Sequence, residues 1–116
     1  MYTISKKVTS ESIQSLRLVV AGAEKLRSEV RDGFETKFKM PVYEGYGTTE
    51  TSPGASVNLP DIESPHKLRN RPGTVGKAFS GTEFRIVDPD SLEPLPTGSD
   101  GLILIGGPQI MKGYLK

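Results

Sequence analysis

The pattern of apolar and polar positions divides the chain into a regular front part and a more broken back part. Residues 16–22 form a short apolar run rich in branched side chains, which is typical of a strand buried on both faces of a parallel sheet. Residues 24–38 then place an apolar side chain at every fourth position, a spacing that predicts a helix. Pro41 ends this pattern before a second short strand at residues 42–45. The order strand, helix, strand predicts a partial βαβ unit and an α/β fold.

The back part consists of short apolar runs separated by turn residues. All nine prolines and eleven of the thirteen glycines lie from Pro41 onward, so we expect short strands joined by turns. The runs that predict strands are residues 55–59, 74–79, 83–87 and 102–105. Strands at this spacing predict an antiparallel, β-rich region that forms part of a small barrel. We therefore expect residues 1–60 to end an α/β subdomain and residues 61–116 to form a β-rich one.

Composition and charge narrow the classes of function. The 15 basic and 14 acidic residues leave a net charge of +1, unlike the basic surface typical of a nucleic-acid-binding protein. The absence of cysteine and the single histidine exclude a disulfide framework and the common zinc sites. No apolar run approaches the roughly 20 residues of a membrane span. We expect a cytoplasmic protein, since a reducing compartment fits this composition.

Two familiar phosphate-binding motifs lack residues that they require. Gly76-Lys77 resembles the end of a P-loop, but Ala78 stands where a hydroxyl must hold magnesium. Gly45 and Gly47 begin like a dinucleotide fingerprint, but Glu50 occupies the place of its third glycine. We expect the lone His66 to be an ordinary surface residue.

Residues 44–51 are the strongest candidate for a functional site. They follow a predicted strand at the carboxyl end of an α/β sheet, where ligands tend to bind. Gly45 and Gly47 permit close backbone approach, Tyr46 offers a face on which a base can stack, and Glu50 offers the kind of oxygen that Mg²⁺ prefers. Hydroxyls that suit phosphate oxygens come from Thr48 and Thr49. On these residues alone, a nucleotide site and a plain turn that caps the next helix are equally supported.

Four segments in order resemble the adenylate-forming (AMP-binding) acyl-CoA and acyl-acyl carrier protein synthetases. Residues 15–26 are similar to the strand and turn that line the adenine and acyl pockets of that family. Residues 43–53, YEGYGTTETSP, are similar to its Y-G-x-T-E motif. Residues 71–77 resemble its P-G-[ST]-V-G turn, and residues 101–115 its G-E-L-x-I-x-G motif ending in G-Y. Many members carry Glu where this sequence has Leu102. This difference and the run at residues 20–26 give the closest likeness to the acyl-glycerophosphoethanolamine acyltransferase/acyl-acyl carrier protein synthetase branch.

The resemblance implies a role for each matching residue. Tyr46 would stack on adenine, Thr49 would contact phosphate, and Glu50 would ligate Mg²⁺. The residues that would border the adenylate or the acyl pocket are Gly22, Ala23, Glu24, Gly45, Gly47 and Thr48. The implied reaction is ATP-dependent adenylation of a fatty acid or other small carboxylate, followed by transfer of the acyl group to coenzyme A or acyl carrier protein.

The family's phosphate loop, ribose-binding Asp, hinge and carboxy-terminal catalytic Lys have no counterpart in these residues. The resemblance therefore implies a piece of a larger enzyme that is inactive alone. Further partners that we expect are the rest of that enzyme, a membrane surface near it, and a second copy paired through exposed sheet edges. The rival hypotheses are a self-standing nucleotide-binding module, a structural interaction domain, and a lipid or carrier contact through the basic residues 66–71.

Overall fold

The computed structural model describes residues 7–61 and 69–115. His66 and half of the basic run at 66–71 therefore lie outside the described residues. Within these ranges, the 3-10 helices Glu11–Ile13 and Thr49–Thr51 accompany the regular elements. Those elements are β1 (Val19–Ala21), α1 (Ser28–Phe38), β2 (Val42–Tyr46), β3 (Ser56–Val57), β4 (Lys77–Ala78), β5 (Glu83–Val87) and β6 (Leu102–Gly106).

The front part contains the expected βαβ arrangement with shorter elements. β1 and β2 are parallel, with Val19 opposite Val42 and Ala21 opposite Glu44, and α1 connects them. The strand predicted at 16–22 is limited to β1 because only three residues find partners on β2. The helix predicted from residue 24 begins at Ser28, since Ala23 has a left-handed backbone (φ 74°) and Arg27 is extended.

The prediction that this first strand is buried on both faces is wrong. Leu16, Leu18 and Val20 are 47, 40 and 48% exposed. β1 is the outermost strand of its sheet, and nothing in the described ranges covers these side chains to the extent expected of a central parallel strand. The second strand continues one residue beyond the predicted 42–45 and ends at Tyr46.

The back part is antiparallel, as expected, but forms open sheets. β2 pairs with β3 through Gly45 and Tyr46, and β3 pairs with β4, so the order of the four-stranded sheet is β1-β2-β3-β4. The strands predicted at 55–59 and 74–79 are only two residues long in the structure, as β3 and β4. β5 and β6 match residues 83–87 and 102–105 within one residue, and they form a separate two-stranded sheet.

The described part of the chain contains no closed barrel, which corrects the expected partial barrel. β4 is only two residues long, and β5 pairs along its whole length with β6. The sheets therefore have no strand pairing that would link them into a closed cylinder.

The buried interior is small and half polar. Among the described residues, the buried apolar ones are Phe38, Tyr43, Ala55 and Val87, and the buried polar ones are Thr51, Ser56, Asn58 and Thr82. The radius of gyration is 17.1 Å, against about 13 Å for a compact domain of this size. No helix within the described ranges has the length and apolar character needed to cross a membrane.

Candidate functional site

A cleft of about 410 Å³ lies at the carboxyl ends of the parallel strands β1 and β2. Its floor is the end of β2, its first side is the turn after β1, and its second side is the turn at residues 73–75. The lining residues are Ala21, Ala23, Glu24, Lys25, Glu44, Gly45, Tyr46, Gly73, Thr74 and Val75. The cleft occupies the place in a parallel sheet where α/β proteins tend to bind ligands.

Two glycines allow the strands around the cleft to approach closely. A Cβ atom on Gly22 would lie 3.1 Å from the carbonyl oxygen of Gly45, and a Cβ atom on Gly45 would lie 3.2 Å from the carbonyl oxygen of Ser56. Both distances are tighter than ordinary contacts, so larger residues would push β1, β2 and β3 apart. The close approach of the strands thus explains why positions 22 and 45 are glycine, independently of any ligand.

Tyr46 is the last residue of β2. Its side chain is half-buried, and its carbonyl oxygen accepts a hydrogen bond of 2.8 Å from the amide of Ala55. Gly47 follows directly, and a Cβ atom there would collide with the carbonyl of Pro53. The loop from Gly47 to Pro53 is consequently folded back on itself beside the cleft.

The short helix Thr49–Thr51 is capped by two threonines. The amide of Thr48 donates to Thr51 Oγ1 at 2.9 Å, and that hydroxyl donates to the carbonyl oxygen of Thr48 at 2.9 Å. Thr51 is 1% exposed, whereas Thr48, Thr49 and Glu50 are exposed. The capping role that the sequence left open is therefore present, and it keeps Thr49 and Glu50 on the surface.

Glu50 is held from a distant part of the chain. Its Oε1 accepts a hydrogen bond of 2.6 Å from the hydroxyl of Tyr114, and its carbonyl oxygen accepts one of 2.9 Å from the amide of Met111. The Tyr114 hydrogen bond, then the amide of Glu50 itself and the hydroxyl of Thr48, hold the pKa of this carboxyl below its ordinary value. The same hydrogen bond raises the pKa of Tyr114. Glu50 therefore stays charged under neutral conditions.

Asn58 fixes the side of the cleft opposite β1. Its amide nitrogen donates to the carbonyl oxygen of Thr74 at 2.6 Å and to that of Glu44 at 3.3 Å. Its Oδ1 accepts from the amide of Arg71 at 2.8 Å. Because Asn58 is 1% exposed, this one side chain joins the end of β2 to the turn that closes the cleft.

The predicted site residues separate into two groups. Ala23, Glu24, Gly45 and Tyr46 line the cleft, and Gly22 and Gly47 support its backbone. Thr48, Thr49 and Glu50 do not line it; they lie on the adjoining exposed helix. Sequence reasoning assigned no role to Asn58 or Tyr114, whose contacts are distant in sequence. The turn at 73–75 was found only as a matching motif.

Glu50 is the residue for which the sequence predicts a metal ion. No group of three or more His, Asp or Glu side chains suited to a metal occurs within residues 7–61 and 69–115. A single exposed carboxylate fits Mg²⁺, which proteins often bind through one or two carboxylates while substrate phosphates and water supply the other ligands. The metal role of Glu50 stays a prediction on this chemistry.

Comparison with known proteins identifies the family to which the chain is similar. Residues 2–115 match the family described as "AMP-binding enzyme". The chain is 38% identical over 112 residues to 4-coumarate–CoA ligase 3 of Oryza sativa subsp. japonica, covering 96% of this chain and 20% of that protein. The chain thus spans about a fifth of the length of the curated relatives it matches.

Solved structures of similar enzymes resemble this chain in fold. ATP-bound MatB from Rhodopseudomonas palustris has a TM-score of 0.75 and 32% identity, covering 97% of this chain and 21% of the other. The anthranilate CoA ligase AuaEII, in complex with anthranoyl-AMP, has a TM-score of 0.69 and 29% identity, covering 87% and 18%. The chain belongs to the AMP-binding enzyme family.

Proposed function

We propose that this chain supplies part of the adenylate site of a larger ATP-dependent carboxylate–CoA ligase. The observation that carries the proposal is the cleft in which Ala23, Glu24, Gly45 and Tyr46 meet at the end of the parallel strands. Family membership and the ATP-bound and acyl-AMP-bound structural neighbours support the same ligand. The chain's coverage of about a fifth of its relatives supports a contribution to a larger active site.

The chain's own residues would bind and orient the nucleotide. Tyr46 would present its ring to adenine, with Ala23 and Glu24 on the other side of the cleft and Gly45 allowing close approach. Thr49 would donate its hydroxyl to phosphate, and the charged Glu50 would hold Mg²⁺. The metal would offset the negative charge of the phosphates when bound.

The proposed reaction has two balanced steps. A carboxylate oxygen attacks the α-phosphorus of ATP, and pyrophosphate leaves as the acyl adenylate forms. A thiol sulfur then attacks the acyl carbon, and AMP leaves with its bonding electron pair while the thiol loses its proton. Fixed donors around the phosphate matter because the first step joins two anions.

We propose coenzyme A as the acceptor and a small carboxylic acid as the substrate. The support is that two of the named relatives are CoA ligases, of 4-coumarate in one case and anthranilate in the other. The relatives do not single out the acyl-acyl carrier protein synthetase branch to which the sequence bears its likeness. A fatty acid, acyl carrier protein, a membrane surface and a second copy of the chain stay predictions.

We also propose the division of the chain at residues 60 and 61 into an α/β part and a β-rich part. The parallel β1–β2 pair lies within residues 1–60, whereas the described strand pairs that include residues 61–116 are antiparallel, and this difference supports the division. The sheet nevertheless crosses this boundary, because β3 pairs with β4. The two parts would then share the sheet that forms the cleft.

The complete enzyme that contains this segment provides the test. In Glu50→Gln we expect carboxylate-dependent exchange of pyrophosphate into ATP to fall about a hundredfold, the scale associated with removing one charge-stabilising group. Glu93→Gln, an exposed carboxylate on the loop after β5, is the matched control and should retain exchange. Exchange that survives in Glu50→Gln would remove Glu50 from the metal role, and an unmodified enzyme with no exchange for any carboxylate would refute the function.

A further inference from the structure

We propose that Tyr114 is a positioning residue that makes Glu50 a one-oxygen metal ligand and so favours Mg²⁺ over Ca²⁺. The inference rests on the proposed function, since it concerns the cation that accompanies the nucleotide. It assigns a task to a residue whose hydroxyl reaches the site from the segment after β6.

The contacts between the two segments are specific on both sides. The Tyr114 hydroxyl lies 2.6 Å from Glu50 Oε1 although the two residues are 64 positions apart. The amide of Met111 binds the carbonyl oxygen of the same glutamate at 2.9 Å. The segment after β6 therefore donates hydrogen bonds to both the main chain and the carboxylate of Glu50.

Burial does not account for the position of Tyr114. Its side chain is 68% exposed, so the apolar surface of the ring is mostly in contact with water. A tyrosine that served only to pack the segment would bury its ring, as Tyr43 does at 9% exposure. The contact that distinguishes Tyr114 is the hydrogen bond from its hydroxyl to the carboxylate.

A short hydrogen bond to one oxygen limits how the carboxylate can bind a cation. It takes up an acceptor direction of Oε1 and restricts rotation of the carboxylate group. Binding through both oxygens would require Oε1 to serve the cation as well. The arrangement thus favours coordination by the second oxygen alone.

This limit affects the two common divalent cations differently. Mg²⁺ demands near-octahedral geometry and is satisfied by one carboxylate oxygen together with phosphates and water. Ca²⁺ takes about six to eight oxygens and often binds a carboxylate through both of them. Holding one oxygen therefore costs Ca²⁺ a ligand that Mg²⁺ does not need.

The test is the cation preference of ATP binding, measured by calorimetry on the complete enzyme in Mg²⁺ and in Ca²⁺. Tyr114→Phe keeps the ring and removes only the hydroxyl. We expect the ratio of the two dissociation constants to move about tenfold toward Ca²⁺, the scale of one lost hydrogen bond to a charged group. Tyr43→Phe removes a tyrosine hydroxyl from the body of β2 and should leave the ratio unchanged.

Each further outcome has a separate meaning. Glu50→Gln could abolish the preference of ATP binding for Mg²⁺ over Ca²⁺ while Tyr114→Phe leaves it unchanged. In that case Tyr114 has no positioning role and the proposed function stands. A lower unfolding temperature in Tyr114→Phe with an unchanged ratio would make the contact a purely structural strap and overturn the inference. ATP binding that needs no divalent cation in the unmodified enzyme would instead refute the metal role on which both proposals depend.

Discussion

The four-stranded sheet and the two-stranded β5–β6 ribbon differ in the interactions that hold their strands together. Around the cleft the strands are short, but Thr51, Ala55, Ser56 and Asn58 are almost completely buried. The ribbon has five paired positions in register, yet Leu102, Ile103 and Leu104 are 41–45% exposed. Regular pairing and burial are therefore separate properties in this molecule.

The difference shows where a binding site can be built. Side-chain hydrogen bonds from Asn58 and Ser56 tie β3 to the turn at 71–75, so the side of the cleft is fixed with little apolar area. Fully satisfied polar networks of this kind specify a unique arrangement of the backbone. The ribbon lacks such a network over its two strands and depends on backbone pairing.

Replacing Gly76 should give the largest effect and tests the close packing of the cleft sheet. Gly76 has φ +81°, and a Cβ atom there would collide with the backbone of Val57. We expect Gly76→Ala to lower the free energy of unfolding by about 3 kcal/mol or more, measured by urea titration.

Gly73→Ala is the matched control for that prediction. Gly73 has a similar φ of +79°, but nothing lies within 4 Å of its would-be Cβ atom. Only the left-handed conformation is penalised there, at about 1–2 kcal/mol. Equal losses in the two variants would show that backbone strain, and not the collision with β3, explains the effect.

Removing the amide of Asn58 should have the next largest effect. Asn58→Ala removes a buried side chain and leaves the carbonyl of Thr74 and the amide of Arg71, at part-buried positions, without their partner. We expect a loss of about 2–3 kcal/mol in the free energy of unfolding, followed in the same urea titration. Asn70→Ala, nearby and only partly buried, should change it by less than about 0.5 kcal/mol. Similar values for both would mean that the network does not hold the cleft.

The smallest effect concerns the turn that follows β5 and appears only in acid. Asp88 Oδ1 accepts hydrogen bonds of 2.9 Å from the amides of Ser91 and Asp90, which lower the pKa of this carboxyl below its ordinary 3.8. A lowered pKa in the folded state adds stability above the ordinary value, and this is lost as the pH falls through the folded-state pKa.

The measurement compares unfolding temperatures between neutral pH and pH values below 3.8. Asp88→Asn keeps an oxygen acceptor but has no proton to gain, so its unfolding temperature should fall less in acid than that of the unmodified chain. Identical pH profiles would show that the turn is held by backbone hydrogen bonds alone, as the bond from the Leu92 amide to the Asp88 carbonyl allows.

Local patterns in the sequence predict the elements and only part of the site. The bounds of β5 agree with the prediction because its pairing extends along the whole apolar run. The predicted first strand and helix are longer than β1 and α1 are in the structure. The reason is that Leu16, Leu18 and Leu26 continue an apolar period that the backbone does not follow. Pairing partners and the left-handed Ala23 set the real limits.

The contacts that complete the site had no local signal. Gly45 and Tyr46 were recognisable because a strand, a glycine and an aromatic residue stand together. Asn58 lies in a segment without a motif, and its partner Thr74 is 16 positions away. Tyr114 belonged to a matching motif, but its contact with Glu50 over 64 positions depends on how β6 and the following segment lie against the sheet.

The double pairing of β2 also has a consequence for how the chain folds. Tyr46 pairs with Ser56, about ten residues later, whereas Val19 and Val42 must close a loop about twice as long. Loop closure is entropically cheaper for the shorter segment, so we expect the β2–β3 hairpin to form before β1 pairs with β2. Because that hairpin encloses Gly47 and Glu50, we expect the loop proposed for nucleotide binding to close early in the assembly of the sheet.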